Sequence, residues 1–98
     1  MTLKELIIAV KEKNLSKDQL EDYRDQMSHL FAEMQIEAAV LEKEEALFMD
    51  KTITSSVAAT KIMWKATSSG QRLIVLKRYC LATKELLNSL KSRLYSIY

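Results

Sequence analysis

The side chains able to do chemistry are few, and their spacing is not that of a reaction centre. The one histidine, His29, stands four residues before Glu33 on a segment that also carries Glu37, Glu44 and Glu45. A carboxylate-bridged metal pair in a helical bundle needs Glu-x-x-His pairs on two helices, and no such pair occurs. One histidine and one cysteine are also too few for the common zinc sites. The acidic run therefore reads as a solvated helix face. Cys80 leaves no internal disulfide and falls at an apolar position of a heptad, where a thiol behaves as a small hydrophobe. Lys77 and Lys84 lie one turn to either side and would lower its pKa if it were exposed. With no nucleophile–base pair and no phosphate-binding loop, the chain reads as non-enzymatic, with no cofactor and no metal.

Charge and aromatic residues offer more. Arg72, Lys77, Arg78, Lys84, Lys91 and Arg93 form the densest basic segment, with Tyr79, Tyr95 and Tyr98 interleaved. Cations neutralise phosphates and aromatic faces stack bases, so this segment is the candidate ligand-binding face. Nucleic acid or an acidic protein surface are the partners it implies. The plainer reading is a solvated face with tyrosines at its edges, and no known nucleic-acid motif is present. Trp64, the sole tryptophan, is the candidate partner anchor if exposed. Buried, it would plug the end of a bundle, which is the preferred reading.

The formal net charge of +2 conceals a polarity. Residues 1–50 hold six basic and twelve acidic side chains, a balance of −6; residues 51–98 hold nine and one, a balance of +8. Such asymmetry suits halves that pack together, because charges flanking an apolar seam set helix pairing. It also suits a basic half that meets a separate partner.

The elements that must carry these residues are helices. There is no Pro and only one Gly, whereas β folds need both repeatedly for turns. Thr2 with Glu5 and Ser16 with Gln19 have the spacing of capping boxes. The first helix is expected over about residues 3–13, with Asn14 as its stop, packed on the bundle or swapped to a second subunit. The second should run over about residues 17–50, roughly 50 Å at 1.5 Å per residue. Its seam is Leu20, Tyr23, Met27, Leu30, Phe31, Met34, Ala38, Leu41 and Phe48. A four-residue step from Met34 to Ala38 keeps Glu37 and Glu44 out of the seam, as a stutter does. Residues 51–56 read as a turn, with Thr54 or Ser55 opening a short third helix that ends near Ala66. Ser68 with Gln71 forms a third capping box, with Thr67 as the competing cap. The fourth helix then runs from about Ser69 to the C-terminus. Its Leu73, Leu76, Cys80, Thr83, Leu87, Leu90, Leu94 and Ile97 alternate in steps of three and four, a coiled-coil seam.

The fold expected is all-α: one domain over residues 1–98, built as a long antiparallel helical hairpin with a short N-terminal helix and a short connecting helix. Lys77, Lys84 and Lys91 should face the row of Glu37 and Glu44. A chain of this length has a small core, and without disulfide or metal the remaining aid is self-association. A homodimer or larger assembly is therefore expected through Leu73, Leu76, Cys80, Leu87, Leu90, Leu94 and Ile97 with Met27, Leu30, Met34 and Leu41. No apolar run reaches the roughly 20 residues a membrane span needs. The N-terminal Leu6–Val10 run is too short for a signal-peptide core. No membrane partner and a cytoplasmic location are expected.

Trp64-Lys65-Ala66-Thr67-Ser68-Ser69-Gly70, followed by Leu76-Lys77, Ala82-Thr83-Lys84-Glu85 and Ser89 through Tyr95, resembles small helical proteins of tailed bacteriophages. The resemblance covers roughly residues 20–98. Those proteins sit among early phage functions, near recombination or replication genes. It implies a viral accessory role in the host cytoplasm, in DNA metabolism or against a host defence complex. It assigns no functional residue.

Overall fold

A computed structural model describes residues 1–51 and 56–97, with the side chain of Ile97 excepted. Four helices follow one another: α1 (Leu3–Val10), α2 (Lys17–Lys51), α3 (Val57–Ala66) and α4 (Ser68–Ile97). No strand occurs among the described residues. The fold is all-α, and α2 packs against α4 as a hairpin.

The helix starts are made by side chains that take up orphan amides. Thr2 Oγ1 accepts from the Glu5 amide at 3.2 Å and donates to the Glu5 carboxylate at 3.0 Å. At α2 the box is reciprocal. Ser16 Oγ accepts from the Gln19 amide at 3.2 Å, and the Ser16 amide donates to Gln19 Oε1 at 2.9 Å. Two boundaries differ from the expected ones. Helix α1 stops at Val10 with Lys11 as its C-cap, so Asn14 is not the stop. The amides of Lys11 and Glu12 turn back to Ile8 and Ala9 carbonyls, both at 3.3 Å, the i→i+3 tightening of a closing turn. A guanidinium from α4 explains the early end: Arg93 donates to the carbonyls of Val10 at 2.6 Å and Glu12 at 2.7 Å. For α3, the expected caps Thr54 and Ser55 lie outside the described residues, and the observed cap is Ser56, whose Oγ accepts from the Ala59 amide at 3.1 Å.

The junction between α3 and α4 is a single residue, and there Thr67 prevails over Ser68. Thr67 Oγ1 accepts from the Gly70 amide at 2.9 Å and donates to the Trp64 carbonyl at 2.6 Å. One hydroxyl thus ends one helix and starts the next. Gln71, expected to close a box with Ser68, sends its side-chain amide to the Lys65 carbonyl instead. Gly70 is buried here, and a Cβ on it would stand 2.0 Å from the Trp64 carbonyl oxygen. The two helix ends approach this closely only because the residue is glycine.

Tertiary contacts divide the chain into two compact units. Unit 1 takes residues 1–33 and those from Cys80 onward. Its core joins Leu6 and Val10 of α1 to Leu20 and Met27 of α2 and Leu87, Leu90 and Leu94 of α4. Leu15, Tyr23, Leu30, Phe31 and Leu86 pack against it, partly buried. The first helix is thus built into this core, with Leu6 wholly enclosed. Unit 2 takes Met34–Tyr79. It buries Ala38, Leu41, Trp64, Leu73 and Leu76, with Met34 and Phe48 at the margin. Each full burial of a Leu stabilises by about 1.5–3 kcal/mol, and unit 2 has few of them. Ala38 in the core and Glu37 and Glu44 at the surface bear out the stutter.

Candidate functional site

The six basic residues of α4 divide by what they meet. Arg72 makes a two-pronged pair with Glu37, Nε to Oε1 at 2.9 Å and Nη2 to Oε2 at 3.1 Å. This hydrogen bond, more than the charge itself, holds the Glu37 carboxyl below its ordinary value and raises Arg72. Lys77 Nζ lies 3.6 Å from Glu42. Arg93 is committed to the α1 carbonyls. Arg78, Lys84 and Lys91 are exposed, and no described acid pairs with them.

The expected pairing of the Lys77, Lys84 and Lys91 row with Glu37 and Glu44 is therefore corrected. The acids that meet this helix are Glu37, through Arg72, and Glu42, through Lys77.

In unit 1, Lys91 borders a cleft of about 310 Å³ lined with Arg24, Leu94 and Tyr95. Its walls are almost wholly apolar, so Arg24 and Lys91 line it with their aliphatic stems. Leu94 is buried beneath, while Tyr95 is 85% exposed and offers its ring to solvent. Arg24 is steadied by Asp25, whose Oδ1 accepts from Nε at 3.3 Å and from Nη2 at 3.2 Å. Tyr95 and Lys91 are conspicuous in the sequence, whereas Arg24 is not. The signal for it is slight: Arg24 is the sole arginine of the acidic half, one turn before Ser28.

In unit 2 the notable surface is apolar. Ile36, Val40, Leu47, Val57, Ile62, Met63, Val75 and Tyr79 are all exposed there. Ile36, Val40 and Leu47 recur at four and seven residues, which places them on one face of α2, opposite the core-facing Met34, Ala38 and Leu41. Lys43 and Glu44 both adjoin that stripe, each one turn from Val40 and Leu47. On α4, Arg78 stands one turn after Val75 and directly before Tyr79. Glu44 and Arg78 are exposed, and no described residue pairs with either.

The remaining candidates are quieter. Trp64 is only 5% exposed and packs on Phe48 with ring centroids 5.6 Å apart and planes at 52°. It is a core residue, and the reading of an exposed anchor does not hold. Of the seam residues, Leu73, Leu76, Leu87, Leu90, Leu94, Met27 and Leu41 are buried, Leu30 and Met34 are partly so, and the Ile97 side chain lies outside the described residues. The buried and partly buried ones fill the cores of the chain itself. Cys80 is half-buried, and burial pushes its thiol up rather than the neighbouring lysines drawing it down. His29 Nε2 meets Glu33 at 2.9 Å at the surface. Thr83 is wholly buried and its hydroxyl meets no partner among the described residues. Among the described residues no three His, Cys, Asp or Glu side chains come together as a metal site. No described helix is long and apolar enough to cross a membrane.

No protein-family model, curated protein or solved structure matches the chain.

Proposed function

We propose that the protein is a non-catalytic helical interaction protein that works by surface recognition, first with a second copy of itself. The observation that carries this is the balance within unit 2, where eight large apolar side chains among the described residues are exposed against five buried in the core. A unit so poorly supplied gains most by covering that surface. The charge is compatible with another copy as the cover. Lys43 and Glu44 both stand one turn from Val40 and Leu47, and Arg78 stands one turn from Val75, so a second copy can set Glu44 against Arg78.

Sedimentation velocity tests this. Wild type should assemble, and Ile36→Glu with Leu47→Glu should yield monomer. Glu44→Lys and Arg78→Glu should each weaken assembly, and the pair together should restore it. A wild-type chain that stays monomeric at high concentration would refute self-association. The same surface would then serve the alternative, an inhibitor or adaptor that docks on a host defence complex.

A second reading is nucleic-acid association, favoured by Lys84 and Lys91 having no acidic partner among the described residues. For either reading, a viral accessory role of the kind the phage resemblance implies is the setting we propose.

A further inference from the structure

We infer that the cleft of Arg24, Lys91, Leu94 and Tyr95 takes one nucleotide of a single-stranded nucleic acid, the base against Tyr95 and the phosphate on Lys91 and Arg24. This inference rests on the nucleic-acid reading of α4 and names the strand type and the site for it. Three features select this ligand. The Tyr95 ring is free to stack, being 85% exposed beside a buried leucine. Every base offers a π-face to such a ring, but only when it is not already stacked within a duplex. Arg24 and Lys91 line the same cleft as the ring, and such cations supply the phosphate contacts from which non-specific affinity comes. The cleft, about 310 Å³, is partly open to solvent, which leaves the strand on either side of a seated nucleotide room to continue.

The character of the walls sets specificity. They offer almost no polar surface, so nothing reads the hydrogen-bonding edge of a base, and binding should tolerate any sequence. Lys84 lies one heptad from Lys91, roughly 10 Å along the helix, and extends the cationic track within unit 1. Asp25 withdraws part of the Arg24 charge, so Lys91 is the principal phosphate ligand.

The test is fluorescence anisotropy of the full-length chain with labelled oligothymidylate, oligoadenylate and duplex DNA, at roughly 50 and 200 mM salt. Single strands of both sequences should bind, and more tightly than duplex. Affinity should fall by orders of magnitude at the higher salt. Tyr95→Ala should lose roughly 5- to 150-fold while Tyr95→Phe keeps wild-type affinity, and Lys91→Glu should also lose binding. Tyr95 is a surface residue, so its substitution leaves the fold intact by circular dichroism. If oligonucleotides bind but Tyr95→Ala binds equally well, the site is wrong and the basic-helix reading stands. A preference for duplex with Tyr95 indifferent likewise overturns the site alone. Absence of binding to any nucleic acid at the lower salt overturns both.

Discussion

Replacing Gly70 by alanine sets two rules against each other. Within a helix the change to alanine should stabilise by about 1 kcal/mol, because glycine loses more backbone freedom on folding. At this position the new Cβ would meet the Trp64 carbonyl oxygen at 2.0 Å, its carbon at 2.8 Å and Lys65 Cα at 3.0 Å. All three are backbone atoms that cannot swing aside. The carbonyl is further held by the Thr67 amide at 3.0 Å and the Thr67 hydroxyl at 2.6 Å. Relief of the clash must separate α3 from α4, stretching the Thr67 hydrogen bonds and drawing Trp64 from its place beside Phe48. Overpacking of this kind costs about 1–3 kcal/mol, and each hydrogen bond lost adds about 0.5–1.5 kcal/mol. Against the propensity gain, the net loss should be about 2–3 kcal/mol. For a domain of this length that lowers the melting temperature by roughly 10–20 °C. Thermal unfolding followed by circular dichroism, with Trp64 fluorescence alongside, measures it. Ser92→Ala, at an exposed position of α4, is the control and should gain a few tenths of a kcal/mol. A Gly70→Ala protein as stable as wild type, or more so, would refute the close-junction argument and leave helix propensity in command.

Thr83→Val should stabilise by about 1 kcal/mol, since the valine fills the same space without a buried unpartnered hydroxyl. Urea unfolding should show a raised midpoint at unchanged slope, and a lowered midpoint would mean that the hydroxyl is satisfied. Arg93→Gln should cost about 1–2 kcal/mol by freeing the carbonyls of Val10 and Glu12 at the end of α1. Hydrogen exchange should then speed in α1 before the rest of the chain, and uniform protection would count against the cap. The Glu37 carboxyl is depressed by its bond to Arg72, so its contribution is present above the ordinary glutamate value and disappears as pH falls through the lower, folded one. Urea titrations in acid should therefore show wild type losing its advantage over Glu37→Gln below about pH 4; parallel curves would refute the pairing.

The spacing of apolar residues carried much of the architecture. The 3-4 alternation from Leu73 to Leu94 predicts which residues of α4 turn inward, and the step to Ala38 predicts how α2 keeps its glutamates at the surface. Both follow from helix geometry alone. The Ser16–Gln19 box was also legible, because its partners are three residues apart. The candidate sites were less so. That α4 is basic is evident from composition, but which of its cations remain free depends on register. Arg72 and Lys77 find acids on α2, Arg93 finds the carbonyls of α1, and Lys84 and Lys91 find none among the described residues. Arg24 joins Lys91 and Tyr95 only when α2 and α4 lie side by side.

What the sequence determined by itself is therefore whatever is periodic or local: helix identity, caps within one turn, the inward face and the charge polarity. Tertiary structure decided whatever needs two distant segments at one place. It made Thr67 rather than Ser68 the cap, because a one-residue junction requires one hydroxyl to serve both helices. It turned Gly70 from a tolerated residue into a required one, because a neighbouring carbonyl occupies the space of its missing side chain. It also buried Trp64 and left the ring of Tyr95 in water. Composition could not separate these two aromatic residues, since burial is a property of neighbours and not of residue type.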